Sequence, residues 1–219
     1  MVTKMNVADI AKQLMEGMGV SLEIFVITLI GALPLGLIIA FGRMSKNIVL
    51  RTITKFYISI MRGTPLMLQL MVVYFGPYYL FEIPLSREYR LVAVFIGFIL
   101  NYAAYFAEIY RAGIESIPRG QYEAAKVLGY KKGQTFFVII LPQVIKRILP
   151  PVTNETITLI KDTSLAFVIA VTEMFTVAQR IASAQTTMMP FLVAGLFYYL
   201  MNLLVAVVME RIEKKLDYY

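Results

Sequence analysis

Long apolar runs dictate most of what this chain can fold into. Residues 22–41 carry one charge, Glu23, and residues 64–81 follow an apolar stretch at 56–61 interrupted by Arg62. Residues 91–110 are charged only at Glu108, and residues 190–208 not at all. An α-helix needs about 20 such residues to cross roughly 30 Å of hydrocarbon. A fifth run, 149–171, carries Glu155, Lys161 and Asp162. Around that polar stripe, Ile157, Leu159, Ile160, Leu165, Phe167 and Ile169 supply apolar surface.

Composition agrees. Hydrophobic residues make up 59% and charged residues 16%, with mean hydropathy +0.71, whereas a soluble domain carries about 25% charged residues. Disorder, collagen, a secreted disulfide scaffold and a water-soluble enzyme all fit poorly. The expectation is an all-α membrane protein, one domain over residues 1–219. Its five transmembrane helices fall at about 20–42, 56–81, 89–111, 149–171 and 189–209, or four if the weaker run is no span. The first run is longer than a signal peptide's apolar region, and no small-residue cleavage site follows it, so it reads as a retained helix.

The chain has no Cys and no His. Disulfides, iron–sulfur clusters, thiol nucleophiles, imidazole metal sites and Ser-His-Asp triads are therefore excluded; a carboxylate-only site for a hard cation stays open. The net charge of +7 reads as basic loops on a cytoplasmic face rather than as nucleic-acid binding. If residues 42–55, 111–147 and 210–219 share one side, that side holds Arg43, Lys46, Arg51, Lys55, Arg111, Arg119, Lys126, Lys131, Lys132, Lys146, Arg147, Arg211, Lys214 and Lys215. The other side holds Lys4, Lys12, Arg87, Arg90 and Arg180. The positive-inside rule then predicts an outside N-terminus, a cytoplasmic C-terminus and a cytoplasmic loop over about 112–148.

Within that loop, Pro118-Arg119-Gly120 is a breaker, 121–128 a short helix of good formers and Gly129 a C-terminal stop. Taken alone, the segment fits a solvated amphipathic connector. Its pattern says more. Glu123-Ala124-Ala125, three residues, Gly129, nine residues, then Ile139-Ile140-Leu141-Pro142 resembles the EAA motif of permease subunits in ABC importers. Further segments are similar to permeases of polar amino acid uptake systems for histidine, arginine, glutamine and cystine. These are Arg62-Gly63-Thr64-Pro65-Leu66 with Gln69, the run Ala107–Ile114, Ile117–Gln121, Asn154-Glu155 and Lys161-Asp162-Thr163-Ser164-Leu165. The resemblance covers about residues 17–215.

It implies the type I importer core of five helices per subunit, with a coupling helix between spans 3 and 4 seated in an ATPase subunit. Glu123, Ala124, Ala125 and Gly129 would form that docking surface, with small alanines allowing close approach. The implied partners are an ABC ATPase dimer, a second permease chain (a copy or a similar one), an extracytoplasmic binding protein, an amino acid and membrane lipid, with no nucleic acid. No cofactor is expected on this chain itself; ATP and Mg belong to the ATPase. The chain has no G-x-x-x-x-G-K-[ST] phosphate loop. It therefore reads as a transport subunit and not an enzyme, in a prokaryotic cytoplasmic membrane.

Ionisable groups inside spans usually face a bundle interior or a watery cavity. Asn101, Tyr105 and Glu108 are spaced by 4 and 3, on one helical stripe with Tyr102 adjacent; Glu155, Thr158 and Asp162 share another face. Carboxylates, an amide and tyrosines suit an ammonium and a polar side chain, so all seven are candidate substrate contacts. Each has a plainer alternative: Glu108 with Arg111 is a helical ion pair, Arg62 beside Gly63 and Pro65 caps a helix break, and Pro150-Pro151 marks where the loop enters the fourth span. The 74–79 aromatic run fits an interfacial belt. The surplus of acids leans towards a cationic amino acid such as arginine, lysine or histidine. The competing function is a stand-alone ion-coupled secondary transporter using Glu155 and Asp162 as relays. An intramembrane enzyme has no visible nucleophile–base constellation.

Overall fold

The computed structural model describes residues 5–216; Lys4, used in the loop-charge comparison, lies outside them. Among the described residues there are helices and no strand. The chain runs α1 (Val7–Arg43), α2 (Ile48–Gly63), α3 (Leu66–Phe81), α4 (Arg87–Glu115), α5 (Arg119–Val127) and the single turn α6 (Lys132–Gln134). It continues through a π-helical stretch (Thr135–Ile140), α7 (Leu141–Asp162), a 3-10 stretch (Thr163–Ile169), α8 (Met174–Gln185) and α9 (Met189–Leu216). Val7–Arg43, Arg87–Glu115, Lys132–Ile169 and Met189–Leu216 are long and apolar enough to span a membrane, and the bent pair α2–α3 supplies up to a fifth.

Three of the long helices start at a side-chain cap. Asn6 caps α1 by accepting from Asp9 N at 2.8 Å, Asn47 caps α2 through Val49 N at 2.9 Å, and Ser86 caps α4 through Tyr89 N at 3.1 Å. The centre of the molecule is α1 laid on α4. A Cβ on Gly36 would stand 2.9 Å from Phe106 Cβ and 3.0 Å from Ala103 O, so the two backbones meet where α1 has no side chain. Such close approach at small residues is how helices associate in lipid. Ile24, Ala32, Phe98, Tyr102, Ala103 and Phe106 form the buried core around that contact, with Leu66, Leu70 and Leu159.

Three features depart from the expected outline. The second span is not one rod: α2 and α3 are bent by 110°. Thr64 sits in extended conformation (φ −123°, ψ 148°) because Pro65 follows it, and the residue before a proline is pushed out of the α region. Pro150 and Pro151 do not mark the start of the fourth span but lie inside α7, which continues helically from the 132–140 segment. The helix therefore enters the bundle earlier than the loop boundary at 148. Finally, the 12-residue α8 is an additional element. Its Met174, Val177, Ala178, Ile181 and Ala182 are buried against α1 and α9, and a Cβ on Gly17 of α1 would come within 2.8 Å of Met174 Cα.

Candidate functional site

The α4 stripe of Asn101, Tyr105 and Glu108 is the surface on which the α2–α3 break rests. Asn101 Nδ2 donates to Met61 O and to Gln69 Oε1, each at 3.0 Å. One turn along, the Arg62 guanidinium lies 5.2 Å from the Tyr105 ring centroid, a cation–π contact. A further turn along, Glu108 accepts from Arg111 Nη2 at 2.7 Å and Nε at 3.2 Å, with Arg43 and Arg62 each 3.9 Å away. Arg111 also bonds Glu115.

A cavity of about 500 Å³ opens beside this stripe, lined by Arg62, Tyr105, Glu108, Arg111, Ser116, Arg147 and Glu155 with Ile109, Ala112, Gly113 and Pro151. Its size falls in the range of small-molecule sites, roughly 300–1,000 Å³. Arg147 is fixed across its mouth, donating from Nη1 to Ser116 O at 2.6 Å and Ser116 Oγ at 3.0 Å. Among the described residues Glu155 makes no hydrogen bond and no ion pair within 4 Å, and the Arg62 guanidinium on the same cavity wall acts on its carboxylate.

The seven candidate contacts therefore separate. Tyr105, Glu108 and Glu155 meet at the cavity. Tyr102 is only 2% exposed, and its hydroxyl donates to Asp162 Oδ2 at 2.7 Å; this pair lies two turns along α7 from Glu155, about 10 Å at 1.5 Å per residue. Thr158 Oγ1 donates back to Asn154 O at 3.0 Å. Asn101, 5% exposed, spends its amide on the break. Neither Asn101, Tyr102, Thr158 nor Asp162 lines the cavity. Sequence spacing does not mark Gln69 or Arg147 as site residues, and only the Pro65 breaker hints at Arg62. No three carboxylates converge on a metal-sized site among the described residues.

The loop segment is equally specific. α5 ends in a Schellman motif: Tyr130 N donates to Ala125 O at 3.0 Å and Gly129 N to Lys126 O at 3.1 Å, with Gly129 at φ +79°. Glu123 and Ala124 are exposed, as are Val127 (87%) and Leu128 (73%). Ala125 differs from its partner alanine. It is 1% exposed, so within this chain its side chain has no free surface.

At the other end of α7, Glu173 is fully buried as the cap of α8. It accepts from Phe175 N and Thr176 N, both 2.7 Å, from Thr176 Oγ1 at 2.8 Å and from Tyr198 Oη at 3.2 Å. Burial pushes its carboxyl above the ordinary value, and these hydrogen bonds act in the opposite sense.

An all-helical bundle with several helices long and apolar enough to cross a bilayer, around a polar cavity, is the architecture of a membrane protein. Residues 32–218 match the family described as binding-protein-dependent transport system inner membrane component, and the chain belongs to it. It is an amino acid ABC transporter permease with membrane-spanning helices. GlnP of Rickettsia typhi, whose name refers to glutamine transport, is 38% identical over 205 residues, covering 93% of this chain and 92% of that one. The arginine transport system permease protein ArtQ of Bacillus subtilis is 37% identical over 204 residues, with the same coverage of 93% and 92%. Among solved structures, an amino acid ABC transporter with histidines superposes with a TM-score of 0.87 at 28% identity, covering 98% of this chain and 99% of that one.

Proposed function

We propose that this chain is the permease subunit that carries a polar amino acid inward through a prokaryotic cytoplasmic membrane by alternating access, driven by ATP bound on partner ATPase subunits. In this reading the whole chain is one permease domain with five spans, the N-terminus outside and the C-terminus in the cytoplasm. A second permease chain packs against it, and an extracytoplasmic binding protein delivers the substrate. The excess of basic residues in 42–55, 111–147 and 210–219 supports that orientation. The apolar face of α9, of whose most apolar part only 11% is buried, supports a partner or lipid surface there.

The observation that carries the reading is α5: a short helix stopped by Gly129 in the left-handed region, presenting Glu123, Ala124, Val127 and Leu128 outward between α4 and α7. Such a rigid, partly apolar projection suits a groove on an ATPase. The substrate is assigned to the cavity, with Glu155 receiving an ammonium and Tyr105 the side chain, and the Tyr102–Asp162 pair lies further along the path. A cationic preference rests on Glu155 and Asp162, on each of which one cation acts (Arg62 and Lys161), whereas Glu108 is enclosed by three guanidiniums.

The test is mild detergent extraction of the tagged chain from its own membrane, followed by mass spectrometry and ATPase assay with each amino acid. An ATP-binding subunit should co-elute, stimulated by one substrate class in the presence of a binding protein. Gly129→Asp should abolish ATP-driven uptake while the bundle still assembles, because at φ +79° a side chain is strained and the added charge sits on the docking turn. A chain that elutes alone and moves substrate down an ion gradient would establish the secondary-transporter alternative.

A further inference from the structure

A broken helix leaves carbonyls at the end of one half and amides at the start of the next without helical partners, and such orphans are costly wherever water does not reach them. At the α2–α3 break two side-chain amides partner the carbonyls, at exposed to part-buried positions. Gln69 Nε2 donates to Met61 O at 3.0 Å, Thr64 O at 3.1 Å and Thr64 Oγ1 at 2.8 Å. Asn101, reaching over from α4, donates to the same Met61 carbonyl and to Gln69 Oε1, both at 3.0 Å. The two halves are seated on α4 on either side of this knot. Tyr57 of α2 bonds Leu100 O, and Leu70 of α3 fills the hollow at Gly97, where an added Cβ would stand 2.7 Å from Leu70 Cδ2. The next residue after Met61 is Arg62, whose guanidinium lies over Tyr105 in the cavity wall.

We propose that Asn101 and Gln69 are positioning residues for transport: together they hold the bend between α2 and α3 and so aim Arg62 at the cavity. Neither needs to touch the substrate. An amide is the one side chain of this size that both donates to the freed carbonyls and accepts from its partner amide. The transport half of this proposal rests on the permease function above; the clamp itself does not.

Asn101→Asp and Gln69→Glu test it with almost no change in shape, since each keeps the amide oxygen and puts an acceptor oxygen in place of the NH2 donor. The full-length variants are purified together with whatever subunits co-elute, and hydrogen exchange of peptides covering residues 60–70 is followed beside peptides of α9. Each variant should raise exchange about tenfold or more across the break and leave α9 unchanged, because the part-buried Met61 carbonyl loses its donor. Maximal uptake should fall by a comparable factor while half-saturation by amino acid stays within about twofold, because the bend rather than a substrate contact is lost. Thr64→Val, which removes one acceptor and keeps the volume, should give a smaller rise at the same peptides and serves if either isosteric variant does not assemble. Unchanged exchange at 60–70 would overturn the clamp. A large rise in half-saturation with maximal uptake intact would make Asn101 a substrate contact instead. If the wild-type complex moved no amino acid, the transport function would fall while the exchange data still decided the clamp.

Discussion

Glu108 and Glu173 are both carboxylates drawn into the helical bundle, and they are held in opposite ways. Glu108 faces the cavity with 18% of its side chain exposed and is ringed by Arg111, Arg62 and Arg43. Glu173 is wholly enclosed and takes its hydrogen bonds from two backbone amides and two hydroxyls. Beside a watery cavity, charge pairs are screened and can trade partners, so their geometry can follow a ligand. In a dry site neutral donors fix one geometry, and losing the acceptor leaves several of them stranded. The first arrangement suits a surface that handles substrate, the second a joint that must not move.

The largest effect should follow from breaking the dry joint. Glu173→Ala removes the cap of α8 and strands the Phe175 and Thr176 amides, while the Tyr198 hydroxyl keeps Thr163 and Ser21 as partners. A lost cap costs about 0.5–2 kcal/mol and a buried amide left without an acceptor about 1–3; both describe the same lost bonds, so about 2–3 kcal/mol is expected. Glu108→Ala, at a partly exposed ion-pair cluster, should cost about 1 kcal/mol or less. Thermal midpoints of the two purified variants in the same detergent measure the difference. Equal losses would erase the distinction between the two regions.

How much of this was legible in the sequence depends on how local the cause is. Gly129 could be read as a stop because positive φ is a property of one residue, and it stands at φ +79°. Glu108 with Arg111 could be read because i, i+3 spacing joins them within one helix. The break at Thr64–Pro65 was hinted at by the proline, but its angle was not, because the amides that hold it come from Gln69 and from Asn101, 40 residues beyond Met61. Arg43 and Arg62 approach Glu108 from other helices for the same reason. Pro150-Pro151 misled because a proline pair looks like a boundary, whereas packing keeps α7 continuous through it. The 12 residues of α8 are too few for a span, and its capping acid, Glu173, has no mark in the sequence that separates it from a surface glutamate.

Asp162 lies between the two regimes and sharpens the comparison. It is half-buried and accepts from the Tyr102 hydroxyl at 2.7 Å. Asp162→Asn keeps an acceptor for that bond and deletes only the charge. If Asp162 serves the path as a charge, uptake of a cationic amino acid should fall about tenfold, the equivalent of roughly 1.4 kcal/mol, and uptake of a neutral one much less. Competition assays with one cationic and one neutral substrate on the same preparation measure both. An equal loss for the two would move Asp162 to the side of Glu173, as a joint.

The smallest effect concerns the protonation of Glu173 itself. Its carboxyl is raised above the ordinary value of 4.5 by burial, so the fold favours the neutral acid. A raised carboxyl binds its proton more tightly folded than unfolded. Its contribution to stability is therefore complete below the ordinary value and is lost as pH rises through the raised one. The thermal midpoint of the wild type should drift down over that interval. Glu173→Gln, which carries no proton to lose, should show a shallower drift between the same pH values. Glu108→Gln should not flatten it, because the drift belongs to the joint and not to the cavity. If the Glu173→Gln and wild-type curves ran parallel, Glu173 would be held with the same proton occupancy folded and unfolded, and its hydrogen bonds would fully offset its burial.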